Sequence, residues 1–197
     1  MLFIKGGHVF ILTKTNFITM KYIFFLFAFC FFIFTATAQQ ARVKAVHDGD
    51  SYKLFYTSDS TVKWVRLIGI DCPEVFSPYV PKAQPYGRAI GDSVRALIRD
   101  SAVTVIKKYG RDPFDNDLAR VFYKGSDLAE LLLFNGWAWY YYDRKLDKDT
   151  RKRYKDLANE AKKAKRGLWA GRETDPKKYT APVRPSDWKK KNPRIRL

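Results

Sequence analysis

One stretch limits the possible folds more than any other: VHDGDSYKLFYTSDSTVKWVRLIGIDCPE, from Val46 to Glu74. Tyr52 to Tyr56 and Val62 to Ile70 are strand-like runs separated by the polar Thr57 to Ser60, the pattern of a β-hairpin. With the turn at Ser58/Asp59, antiparallel pairing sets Arg66 opposite Ser51 and beside Asp50, and Asp71 and Glu74 continue past the same end. One end of one hairpin thus gathers Asp48, Asp50, Asp71 and Glu74 around a guanidinium. Arg66 stands among Val65, Leu67 and Ile68, where a buried charge needs an anionic partner. A structural salt bridge to Asp50 or Glu74 meets that need as well as a ligand does. Asp48-Gly49-Asp50 by itself is ordinary turn chemistry. Carboxylates converging in an irregular loop are also what a hard cation requires. Pro73 holds Cys72 extended, which can fix the direction of the Cys72 carbonyl whatever the side chain does.

Around this block the chain reads as mainly β with α, an α+β fold. Ala41 to Val46 is a further strand, so the first third is a meander. Four prolines, Pro73, Pro78, Pro81 and Pro85, make the next stretch irregular, and then Tyr86, Ala89, Ile90, Val94, Leu97 and Ile98 recur at helical spacing. Ala102 to Lys107 and Leu118 to Tyr123 bring the strand count to five. Asp127 with Glu130 marks an N-cap and its box partner for a short helix that stops at Gly136. Asp149 to Arg166 reads as a second long helix, with Tyr154, Leu157, Ala158 and Ala161 on one face and lysines and arginines on the other. The aromatic run Trp137 to Tyr142 lies between these two helices and, read as a strand, buries alternate side chains.

The two ends read differently. Residues 1–38 hold no acidic residue and ten of the fifteen phenylalanines. Met20-Lys21, the apolar run Tyr22 to Phe34 and the small residues Ala36-Thr37-Ala38 form the three parts of a signal peptide, with Met20 as the start. Cleavage near Ala38/Gln39 sends the protein to the periplasm or the medium, with no stable membrane anchor. Residues 39–197 then carry 34 basic and 20 acidic side chains, a net +14. Such an excess favours polyanions through counterion release. Cys72 is their only thiol, which excludes an intrachain disulfide, and with His47 it cannot supply a zinc ligand set. From Arg172 the composition is basic and proline-containing with almost no apolar periodicity, so residues 172–197 are expected as a flexible tail after a single domain over 39–171.

DGDS followed by YKLFY, then VRLIGIDCPE, QPYG opening a helix, LARVFYKG, a helix ending NGWAW, and RGLWA occur in one order from Arg42 to Ala170. In this the chain resembles the staphylococcal nuclease, or thermonuclease-like, family. The resemblance implies a five-stranded OB-type barrel with about three packed helices, acting as a monomer that hydrolyses phosphodiester bonds of DNA and RNA with Ca²⁺ and no small-molecule cofactor. Carried over, Asp50, Asp71 and the Cys72 carbonyl hold the metal, Glu74 positions or deprotonates the attacking water, and Arg66 binds the phosphate. Tyr142 matches a tyrosine lining the nucleotide pocket, and Phe114 falls near another aromatic pocket position. Asp48 is at most a supporting residue.

The chain departs from the pattern at one point. The family's second phosphate-binding arginine directly precedes the strand that starts here at Leu118, and that place holds Asn116. A Tyr109-Gly110-Arg111 triplet lies several residues earlier. Either a rearranged loop brings Arg111 to the phosphate, with Arg120 a weaker candidate, or the second arginine is missing. The second case implies a non-catalytic OB-type module that binds nucleic acid by charge and stacking.

Overall fold

The computed structural model describes residues 38–107, 109–171 and 181–193, and the backbone of residues 4–5 and 8–9. Met1–Thr37 form a separate unit, in which Ile4–Lys5 and His8–Val9 pair antiparallel; the expected signal peptide, from Met20 up to Thr37, lies outside the described residues.

The second unit is built on a closed barrel. Strand β1 (Ala38–Val46) is long enough to serve two neighbours: its first half pairs with β5 (Ala102–Ile106) and its second half with β2 (Ser51–Tyr56). The register between β1 and β2 slips at Lys44, between Val43 and Ala45. Such a bulge bends and twists a strand, which helps a sheet curl on itself. Strand β3 (Val62–Leu67) pairs with β2 in the register expected from the hairpin, Ser51 opposite Arg66. Strand β6 (Asp117–Tyr123) pairs antiparallel with β5 and then parallel with β3, Arg66 opposite Leu118, which closes the circle β3-β2-β1-β5-β6. Closure leaves none of these strands with a free edge. Alternation follows from the pleat: Val43, Tyr52, Leu54, Tyr56, Val65, Leu67, Val103, Val105, Ala119 and Val121 point inward and are buried. Each fully buried Leu or Val contributes roughly 1.5–3 kcal/mol relative to exposure, so the barrel interior is the main source of stability.

Beyond β3 the chain makes a two-residue strand, β4 (Ile70–Asp71), before the loop that leads to helix α1 (Gly87–Ile98). Ile90, Val94 and Ile98 form the buried stripe of α1, matching the spacing read from the sequence. After β6, the short strand β7 (Ser126–Asp127) leads directly into α2 (Leu128–Phe134), with Asp127 as N-cap accepting from the Ala129 N–H at 2.9 Å. Glu130 does not close a capping box; its carboxylate accepts from Arg153 Nε at 3.2 Å. The aromatic run gives only a two-residue strand, β8 (Trp139–Tyr140), paired with β4 so that Trp139 lies opposite Asp71. Helix α3 (Lys148–Lys163) starts at the Asp147 N-cap and buries Tyr154, Leu157 and Ala161. A 3₁₀ turn follows at Gly167–Trp169. The expected absence of regular structure beyond Arg172 does not extend to Pro185–Lys191, which form a fourth helix, α4. Pro at the first helical position suits that start, because its missing N–H would have no intrahelical partner there.

Candidate functional site

The turn between β1 and β2 is fixed from several directions. Asp48 Oδ1 accepts the Asp50 N–H at 3.1 Å, and the His47 N–H donates to the Ser51 carbonyl at 3.0 Å. The Asp50 carbonyl accepts from the Leu67 N–H at 2.8 Å, tying the turn to β3. Gly49 is required here because a Cβ would lie 2.6 Å from Cys72 Sγ. Asp50 is therefore held with its carboxylate inward and fully buried. Its Oδ1 accepts from the Ser51 hydroxyl at 3.0 Å, and its Oδ2 accepts from the Cys72 N–H at 2.8 Å and Arg66 Nη2 at 3.1 Å. The same Nη2 donates to Asp71 Oδ1 at 2.6 Å.

Glu74 is positioned by a second device. Gln84 accepts the Glu74 N–H with its side-chain oxygen at 3.2 Å, while the Gln84 N–H donates to the Glu74 carbonyl at 2.9 Å. A Cβ at Gly87 would stand 2.2 Å from that carbonyl oxygen, so only glycine lets the Glu74 loop press on the start of α1. Both Glu74 and Gln84 are buried. The Nζ of Lys189, on α4, lies 2.9 Å from Glu74 Oε1 and 3.5 Å from Asp71 Oδ1.

Four carboxylates crowd around one arginine, and the electrostatics record it. Burial pushes the Asp48 carboxyl well above the usual range, with Asp50 adding to the effect. Burial and then Asp50 raise Asp71 to about 6, although Arg66 and Lys189 pull it down. Burial opposes charge on Arg66, but Asp50, Asp48, Asp71 and Glu74 outweigh it and push its pKa up. The cluster thus holds a permanently charged guanidinium inside an excess of negative potential.

Arg66 and Asp71 open onto a groove of about 540 Å³ that also includes Arg111, Phe114, Tyr141 and Lys189. Arg111 therefore reaches the groove that holds Arg66, from a loop in which it bridges to Asp117. Its guanidinium is half-exposed and ion-paired with Asp115, and with Asp117 at 3.4 Å. Asn116 takes no part in the groove; its amide donates to Asp112 Oδ2 at 2.9 Å and its N–H to Asp112 Oδ1 at 2.9 Å. Arg120 is engaged elsewhere, donating to Asp127 at 2.8 Å. Tyr142 is exposed with Arg151 5.5 Å from its ring centre and does not line the groove. The tyrosine that does is Tyr141, because β8 ends at Tyr140 and the Tyr141 N–H is bound to the Gly69 carbonyl at 2.9 Å. Phe114 and Tyr141 are both more than half exposed, as stacking surfaces must be.

Cys72 is buried with its thiol pushed up by burial, so its side chain is packing and only its backbone is available as an oxygen donor. From the sequence Tyr141 is read only as part of the aromatic run and Lys189 only as part of the basic tail, and Gln84 carries no role of its own. Gln84 had a signal, the QPYG before α1; Lys189 had none beyond a run of three lysines.

A five-stranded barrel closed by a parallel β3–β6 pairing and packed with helices is an OB-type fold. The sequence comparison narrows this: the profile of the staphylococcal nuclease homologue family matches residues 64–171, and the chain belongs to that family. It is 33% identical over 130 residues to an uncharacterized endonuclease of Escherichia coli O157:H7, covering 66% of this chain and 76% of the relative. A probable endonuclease of the fungus Schizophyllum commune is 30% identical over 162 residues, covering 66% of this chain and 55% of the relative. A probable staphylococcal-like nuclease of rice, Oryza sativa subsp. japonica, is 30% identical over 149 residues, covering 73% of this chain and 34% of the relative. The chain thus spans about half of the fungal relative and a third of the rice one.

Proposed function

We propose that this protein is an exported, calcium-dependent nuclease that hydrolyses phosphodiester bonds of DNA and RNA with little sequence preference. The observation that carries this reading is Arg66 Nη2 bridging Asp50 and Asp71 at the mouth of a groove that also holds Arg111 and two exposed aromatic rings. Both ion pairs of Arg66 use Nη2, and a guanidinium has five donors, so Arg66 can bind phosphate oxygens while staying anchored. Arg111 supplies a second planar fork from the opposite loop once it exchanges Asp115 for phosphate. Glu74, clamped at its backbone by Gln84, accepts a proton from the attacking water. Phe114 and Tyr141 stack against bases, which tolerates any sequence.

The residues fit a hard cation. Their donors are all oxygen, as calcium prefers, and cationic groups already sit between carboxylate pairs: Arg66 between Asp50 and Asp71, Lys189 between Asp71 and Glu74. Among the described residues no three His, Cys, Asp or Glu side chains form a metal cluster by themselves; Asp50, Asp71 and the Cys72 carbonyl are the donors that would hold the ion together with water. A bound calcium ion would stabilise negative charge developing on the phosphate.

The second reading, a non-catalytic nucleic-acid-binding module, is favoured by one observation: the ion pairs of Arg111 with Asp115 and Asp117. Incubating the chain from Gln39 with single-stranded DNA in calcium, in EDTA, and as Arg66→Ala separates the two. Cleavage that requires calcium and Arg66 supports the enzyme; salt-sensitive binding with intact DNA supports the module. The export assignment rests on residues 20–38 and is checked by the N-terminal sequence of protein recovered outside the cytoplasm.

A further inference from the structure

We propose that α4 is an intramolecular cap on this site, and that the Lys189 ammonium competes with the divalent cation for Asp71 and Glu74. This rests on the metal-dependent reading above. The contact is specific to the place: Lys189 Nζ lies within ion-pair distance of two carboxylates assigned to metal and water, not of peripheral acids. Ser186 and Lys189 line the same groove as Arg66 and Arg111, so the helix occupies space that a nucleic acid strand must enter.

The helix is also seated by contacts that do not depend on charge at the site. The Gln84 amide that positions Glu74 with its oxygen uses its nitrogen to bind the Val183 carbonyl at 2.6 Å, so one side chain joins the Glu74 loop to the approach of α4. Pro185 is buried. Lys82 lies 5.6 Å from the Trp188 ring centre, a cation–π contact. Of the three lysines in its last turn, Lys189 is the one that reaches the carboxylates, while Lys190 pairs with Asp187 of the same helix at 3.4 Å.

An ammonium carries one charge where a divalent cation carries two, and it cannot accept several oxygen ligands as closely. Calcium therefore displaces Lys189 at sufficient concentration, and the apparent affinity is lowered by the fraction of molecules that are capped. A cationic tail released from the carboxylates is then free to attract the phosphodiester backbone. The cap links activation to calcium, and hence to export into a calcium-containing medium.

Calorimetric titration of calcium into the full chain and into Lys189→Met tests this. The substitution should lower the calcium Kd roughly tenfold, within the usual span of coupling between competing ligands, whereas Lys189→Arg, which keeps the charge, should stay near the parent value. Lys82→Ala, which weakens the seat of Trp188 and leaves the site side chains in place, should shift the Kd the same way by a smaller factor. DNA cleavage by Lys189→Met should rise at low calcium and equal the parent at saturating calcium. Unchanged calcium affinity in both Lys189→Met and Lys82→Ala, or no calcium uptake by any of these proteins, overturns the cap. Loss of cleavage at saturating calcium with unchanged affinity also overturns it and makes Lys189 a phosphate-binding group. If no protein cleaves but Lys189→Met binds calcium more tightly, the cap stands and the nuclease reading falls.

Discussion

Two polar clusters in this barrel use the same residue types to opposite ends. In one, Asp127 accepts from Arg120 at 2.8 Å, from the Tyr154 hydroxyl at 2.7 Å and from the Ala129 N–H at 2.9 Å. One carboxylate faces one guanidinium, and both oxygens of Asp127 are bonded. Burial opposes the charge of Arg120, but Asp127 overcomes it. In the other, Asp48, Asp50, Asp71 and Glu74 surround Arg66, and Lys189 arrives from α4. There Asp48 and Asp71 are raised above their ordinary range. A balanced network ties together elements of the fold. An unbalanced one is held in place by the fold for something that arrives later. Charge surplus, more than burial, distinguishes site from scaffold here.

The sharpest way to break that comparison is to remove one charged partner from each cluster, Arg66 from one and Asp127 from the other, and measure both stability and turnover. Arg66→Ala should reduce DNA cleavage by about 10³-fold or more, the scale of arginines that stabilise charge on a transferring phosphate. A loss below tenfold in single-turnover assays would mean that Arg66 is a strut like Arg120. Asp127→Ala should instead destabilise the protein by about 3 kcal/mol in urea unfolding, because it leaves the partly buried Arg120 without its counter-charge and the buried Tyr154 hydroxyl without its acceptor. Cleavage per folded molecule should change little in Asp127→Ala. The two substitutions together assign each cluster a role that neither distance nor burial alone distinguishes.

Arg111→Ala and Asn116→Ala sharpen the comparison on the groove side. Arg111 shares the groove with Arg66, so its loss should remove about 1.5–3 kcal/mol of transition-state binding, the worth of a hydrogen bond to a charged group. Asn116→Ala removes only the amide bond to Asp112, and turnover should stay near that of the parent. Equal kcat/KM in all three proteins would leave the site with a single arginine.

Much of this candidate site is legible in the sequence alone, for a local reason. The β2–β3 hairpin has short strands and a polar turn, so its register follows from arithmetic, and Ser51 opposite Arg66 is the pairing found. Asp50, Asp71 and Glu74 lie within a few residues of that register and came with it. What depended on distant parts of the chain was not legible. The parallel closure of β3 with β6 joins Arg66 to Leu118, and no local pattern announces it. Tyr141 lines the groove in place of Tyr142 because the aromatic strand stops after two residues, so alternation cannot be counted along the run. Lys189 belongs to a stretch without periodicity, and its importance comes from Gln84 and Trp188 holding a short helix over the barrel. The position of Arg111 fell between these cases: Gly110, at φ +80°, permits a rearranged loop, but only the folded loop shows which side chain lines the groove.

The smallest effect concerns two aspartates with one shared task. Asp127 and Asp147 are both N-caps, of α2 and α3, but only Asp127 is also a buried counter-ion. Asp147 accepts the Thr150 N–H at 2.7 Å and the Thr150 hydroxyl at 2.8 Å from an exposed position. Asp147→Ala should therefore cost about 1 kcal/mol, the usual worth of a cap. Its carboxyl is held below the ordinary value, first by the Thr150 N–H and then by the Thr150 hydroxyl. A carboxyl with a lower pKa in the folded than in the unfolded chain contributes fully above the unfolded value and loses that contribution as pH falls through the folded one. The stability gap between parent and Asp147→Ala should thus be constant at neutral pH and narrow below about pH 4, where the unfolded carboxyl takes up its proton. A gap as large as that of Asp127→Ala would mean that capping, not charge pairing, dominates at both helices, and the contrast between the two clusters would have to be redrawn.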